Sequence, residues 1–232
     1  LSTASLGARA NLMRATHLDE AIFASLCRES DMYHVLQRCA ILVSRMALTM
    51  PPPMFHDMVR ATASWPDLCR RLISTSATLS HARSRKLVAL GLAHMLRHAS
   101  AQDKGLLSAV PDMIGMWTEV VGEVVEDEAG SADRYERELS PTRALEIGED
   151  GIPFLDEFGL IEAAPTPSSA RTDAVRSRDP SFNVPLRAYV ADTLNAVLQN
   201  GSYKTQLQSL LATIDPLVLD TLQRGLSERP VA

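Results

Sequence analysis

Near the middle of this 232-residue chain, Asp112, Glu119, Glu123 and Glu126 are separated by seven, four and three residues, and Asp127 and Glu128 follow at once. On a helix turning by roughly 100° per residue the first four share one face. Carboxylates can move protons when two sit in an apolar pocket with separated pKa values. In a solvated row they attract a basic partner through long-range charge. This row is crowded by further acids, so it points to the second chemistry. Its competing explanation is a solvated outer helix face. Like charges one turn apart cost an isolated helix about a few tenths of a kcal/mol each, and a cationic partner reverses that cost. The candidate partner-binding residues are therefore Asp112, Glu119, Glu123, Glu126, Asp127 and Glu128.

The other reactive residue types carry less. His94 and His98 lie one turn apart in "HMLRH", but the glutamate of a zinc-protease helix is missing and no third ligand is evident. They read as polar residues on an otherwise buried helix. Cys27, Cys39 and Cys69 are odd in number and form no CxxC pair, so they read as reduced, buried thiols. No phosphate loop, dinucleotide fingerprint or nucleophile elbow is present. We expect no catalytic, cofactor or metal site.

Charge is segregated. The net charge of −5 divides into +6 over residues 1–111, −12 over 112–162 and +1 over 163–232. An acidic block of that density would repel phosphates, so direct nucleic-acid binding there is excluded and a basic protein partner is favoured. No apolar run is long enough to span a bilayer, since "CAILVSRMALTM" is interrupted by Arg45. No membrane partner is expected.

The elements that must position the acids are helical. From Asp19, "LDEAIFASLCRE" places Ile22, Phe23, Leu26 and Cys27 at helical spacing. Met32, Val35, Leu36, Cys39, Val43 and Met46 continue a stripe that Pro51-Pro52-Pro53 ends. Two further helices follow, the second with Pro66 in its first turn. Met113, Trp117, Val120 and Val124 mark a long helix from about Leu106 to Glu126, which Pro111 starts or kinks. Residues 127–179 lose periodicity and read as a long, mobile acidic and Pro/Ser-rich insertion. Within it, "IPFLDEFGLI" alternates apolar and acidic residues like a docking segment. Order returns with Leu186, Tyr189, Val190, Leu194, Val197 and Leu198 on one face, and Gly201 is a good stop. In the last helix Asp215 serves as N-cap and Pro216 as first residue. No alternating β pattern of useful length occurs.

One stretch bears on how these helices assemble. "SRKLVALGLAHMLRH", from Ser84 to His98, begins with cations, although a helix start favours acids. It is apolar nearly all round and carries the small residues Ala89, Gly91 and Ala93. A helix enclosed by a partner and by neighbouring pairs has that pattern. Its cations then face carboxylates of an adjacent repeat or of the acidic segment beginning at Asp112. Helix pairs recurring at about 30 to 45 residues are the mark of a solenoid.

Three segments carry a family resemblance. "RSRKLVALGLAHML", "MIGMWTEVVGEVVED" and "RDPSFNVPLRAYVADTLNAVLQ" with "LQSLLATIDPLVLDTLQRGL" resemble, in that order, C-terminal helices of importin-beta-family nuclear transport receptors, in the importin-eleven branch. They span residues 83–127 and 178–226. The resemblance implies a HEAT-repeat superhelix that carries protein cargo through nuclear pores, engages nucleoporins, shuttles between cytoplasm and nucleus, and is controlled by the small GTPase Ran. In such receptors the N-terminal repeats dominate GTPase binding, and cargo often lies on the concave surface formed by the second helix of each pair. A whole receptor is about four times longer, so a C-terminal fragment lacking the principal Ran-binding repeats is expected.

The expected architecture is an all-α solenoid of HEAT-like pairs over residues 1–127, an acidic insertion over 128–180 and capping helices over 181–232. The expected role is binding. The alternative is an α-solenoid scaffold of an assembly unrelated to transport.

Overall fold

The computed structural model of the chain describes residues 18–27, 32–100, 102–130, 180–200 and 203–227. Among them every regular element is a helix: α1 (Leu18–Cys27), α2 (Tyr33–Thr49), α3 (Pro52–Thr62), α4 (Trp65–Ser76), α5 (Ala82–Arg97), α6 (Lys104–Leu107), α7 (Val110–Gly130), α8 (Pro180–Asn183), α9 (Leu186–Gln199), α10 (Lys204–Leu211) and α11 (Pro216–Ser227).

Local chemistry sets the boundaries. Pro51 precedes α3, whose first residue Pro52 has no N–H to satisfy there. The Ser64 hydroxyl accepts the Asp67 N–H at 3.3 Å and opens α4, with Pro66 in the first turn. Pro111 is the second residue of α7, in the first turn, where its missing N–H costs no helix hydrogen bond. Asp215 accepts the Leu217 N–H at 2.8 Å, and Pro216 starts α11. The expected stop at Gly201 and the "IPFLDEFGLI" segment lie outside the described residues, as do residues 131–179 of the expected insertion. The helical backbone of α7 continues through Gly130.

The helices stack in two layers. In one layer α2 packs on α5 and α5 on α9; in the other α4 packs on α7 and α7 on α11. Each first-layer helix also contacts its second-layer partner: α2 with α4, α5 with α7 and α9 with α11. The chain is thus a solenoid of helix pairs. α9 and α11 extend both layers with α10 between them, so the C-terminal helices continue the stack. α1 packs against α2, α3 and α4.

α5 is the centre of the stack. Its residues from Lys86 to Ala93 are all buried, as are Met95 and Leu96. The small residues do what their size permits. A Cβ on Gly91 would lie 2.9 Å from Ser44 Cβ and 3.0 Å from Ser44 Cα, so α2 and α5 cross almost backbone to backbone. On the opposite side the fully buried Trp117 donates its indole N–H to the Ala89 carbonyl at 3.1 Å, tying α7 to α5. Indole burial supplies much of the packing, and that bond keeps its one donor satisfied.

One expected stripe needs correction. Val43 and Met46 of α2 are buried, but Met32 and Val35 are 67% and 39% exposed. The periodicity is real, yet the α2 N-terminal turn projects past the described helices that cover the rest of the face. The cysteines also divide. Cys69 is buried, and burial pushes its thiol up to about 12, so it stays protonated at neutral pH. Cys27 and Cys39 are only half-buried.

Candidate functional site

The acidic row lies on α7, a second-layer helix. Asp112 occupies its first turn, where a carboxylate also opposes the positive helix end. Asp112 and Glu119 are exposed and Glu123 is partly buried. Glu126, Asp127 and Glu128 lie on the last turns of the helix; their side chains are outside the described set.

The cations at the α5 start are what Glu119 and Glu123 face. α5 and α7 run antiparallel, since Arg85 meets Glu119 and Glu123 while Ala89 meets Trp117. One Arg85 guanidinium nitrogen binds Glu119 Oε2 at 3.1 Å and the other binds Glu123 Oε1. The Arg85 side chain is 13% exposed against 67% for Glu119. A largely buried guanidinium needs carboxylate partners, and its planar fork suits two at once. Arg83 donates from Nε to Ser181 Oγ of α8 at 2.9 Å. The basic start is thereby balanced by elements far away in sequence.

Beside the row, a groove of about 440 Å³ separates α4 from α7. Its α7 wall carries Asp112, Gly115, Met116 and Glu119, and its α4 wall Arg70, Ile73 and Ser76. Arg70 binds Asp67 one turn earlier at 2.8 Å, and both are exposed. A second groove, about 510 Å³ and mostly apolar, opens among α7, α9, α10 and α11.

Two polar clusters escaped sequence reasoning. Asp103, in the turn before α6, is buried and accepts four hydrogen bonds. They come from the Ser100 N–H at 2.8 Å, the Ser100 hydroxyl at 2.7 Å, His56 Nδ1 at 2.9 Å and the Trp65 indole at 2.9 Å. Burial alone would raise its pKa, but the bonds from Ser100 and His56 outweigh that and hold it below the ordinary carboxylate value. This hub pins α3, α4 and the turn after α5 together. The spacing Ser-x-x-Asp at 100–103 was the one local hint; the partners at 56 and 65 had none.

The second cluster joins α5 to α9. His94 Nδ1 lies 2.6 Å from the Tyr189 hydroxyl, His98 is 4.5 Å from the His94 ring, and Arg97 sits over the Tyr189 ring at 5.5 Å. Burial, then the neighbouring His98, lowers the His94 pKa to about 4. The pair therefore serves the helix seam. Among the described residues no three His, Cys, Asp or Glu side chains gather as a metal ion would need, and no helix is long and apolar enough to cross a membrane.

A two-layer stack of helix pairs defines a helical-repeat solenoid. A family model described as importin-11-like, TPR repeats, matches residues 2–227, and the chain belongs to that family, whose members are parts of nuclear transport receptors. Successive first-layer helices begin at Tyr33 and Ala82, about 50 residues apart, longer than the roughly 34-residue TPR unit and nearer the roughly 40–47 of HEAT-like pairs. No curated protein matches the chain, and no solved structure does.

Proposed function

We propose that this chain is the C-terminal part of a nuclear import receptor, where it contributes contacts to basic protein cargo carried through the nuclear pore in a Ran-dependent cycle. The observation that carries the reading is the family match over residues 2–227, joined to an acidic row on the second helix of a pair. Asp112, Glu119, Glu123, Glu126, Asp127 and Glu128 form the cargo-facing surface. Arg85 holds two of them in place, and the remaining field draws a cationic partner. Ran and nucleoporins engage the full-length parent, which shuttles between cytoplasm and nucleus. The role is binding and not catalysis.

The test is capture of cargo by the full-length parent with Ran in its GTP and GDP forms. Cargo released by the GTP form and retained with the GDP form supports the reading. Cargo binding indifferent to Ran overturns it in favour of a scaffold in an assembly unrelated to transport. Charge reversal at Glu119, Glu123 and Glu126 should weaken cargo binding and flatten its salt dependence.

A further inference from the structure

The α4–α7 groove has features that the acidic row alone does not explain. Ser76, in the last turn of α4, is fully buried, lines the groove and has no hydrogen-bond partner for its hydroxyl. Buried hydroxyls are normally satisfied, and an unmet one awaits a donor or acceptor. Gly115, on the facing wall, would place a Cβ with nothing within 4 Å. The groove is therefore open at that point rather than closed by packing. Asp112 stands at its rim, exposed. Of the acids with described side chains, Glu119 and Glu123 already hold Arg85, and no such bond engages Asp112. Ile73 and Met116 supply apolar lining to the same groove.

We infer that this groove receives one cationic side chain, lysine or arginine, from a basic segment of a protein partner. The alkyl stem lies along Ile73 and Met116, as long basic side chains do on apolar surface. The head group donates to the Asp112 carboxylate and to the Ser76 hydroxyl, a charge-assisted pair of bonds in a partly desolvated cleft. The inference rests on the cargo-receptor reading and makes it specific: Asp112 is the anchoring acid of the groove, whereas Glu119 and Glu123, held by Arg85, add to the attracting field.

The experiment uses the full 232-residue chain and a fluorescein-labelled nona-arginine peptide, with binding read by anisotropy at low and moderate salt. Gly115→Leu fills the groove without altering charge, and Asp112→Asn removes the anchor. Each should weaken binding about tenfold. Ser76→Ala removes only the hydroxyl and should weaken it about threefold. Asp220→Asn, an equal charge change on α11, should leave affinity within about twofold. Helical circular dichroism and the melting temperature establish that each variant is folded, and Ser76→Ala serves if Gly115→Leu is not. Equal affinity across wild type, Gly115→Leu and Asp112→Asn overturns the inference, because the peptide then adsorbs to acids elsewhere. So does absence of binding to wild type. If Ran-sensitive cargo capture by the parent survives either result, only the groove assignment fails. If that capture is absent, the cargo-receptor reading fails.

Discussion

Replacing Gly91 by alanine tests the close crossing of α2 and α5. The new Cβ would stand 2.9 Å from Ser44 Cβ and 3.0 Å from Ser44 Cα. Carbon atoms in good contact are about 3.5–4.0 Å apart, so the helices must separate by several tenths of an ångström. Ser44 cannot swing away, because its hydroxyl donates to the Ala40 carbonyl at 2.8 Å and its Cα is backbone. Overpacking of this kind costs about 1–3 kcal/mol. Alanine returns about 1 kcal/mol of helix propensity, leaving a net loss of roughly 0–2 kcal/mol. Gly115→Ala is the matched comparison, since its Cβ meets nothing within 4 Å. It should gain about 0.5–1 kcal/mol. Urea unfolding followed by helical circular dichroism reads both midpoints. Adding Ser44→Gly to Gly91→Ala removes the Ser44 Cβ and Oγ, leaving only the Cα of the three crowding atoms, and should give a favourable coupling energy. If Gly91→Ala is as stable as Gly115→Ala, the crossing is looser than described and the packing argument for α5 falls.

Three other perturbations probe the polar framework. Asp103→Ala leaves His56 and Trp65 donors unsatisfied in the core and should cost about 3–5 kcal/mol, with a shift of Trp65 fluorescence; an unchanged urea midpoint would refute the hub. Acid should destabilise the chain through His94. Its folded pKa of about 4 lies below its unfolded value near 6.5, so stability present above that upper pH is lost as pH falls through the window. His98, lowered by burial and by Arg97, acts in the same direction, whereas Asp103 contributes loss only below the ordinary carboxylate range. Allowing for solvent screening at half-buried His94, the effect is about 2 kcal/mol. Melting temperatures across the window should show it, and His94→Gln should flatten the slope. Finally, Glu119→Gln should change stability by less than about 0.5 kcal/mol because that partner is exposed. Arg85→Met should weaken the α5–α7 contact and mobilise α7, visible as faster amide exchange around Trp117; unchanged protection there would count against the clamp.

Much of the fold was legible in the residues. Proline positions, Asp215 and the apolar stripe of Trp117 and Val120 each act within a few residues, so helix starts and buried faces follow from local stereochemistry. The all-round apolar character of α5 likewise announced a helix enclosed by others, and Gly91 confirmed it with the backbone of α2. Met32 and Val35 misled because periodicity gives the direction of a face and not how far its cover extends.

The sequence by itself determined that the chain is helical, that its charge is segregated and that four acids share one face of α7. Only the tertiary structure decided which of those acids are engaged. Arg85 is 34 and 38 residues from Glu119 and Glu123, and Ser76 faces Gly115 only because α4 packs on α7. Helix phase sets where a side chain points on its own element, whereas the element standing opposite is chosen by long-range packing.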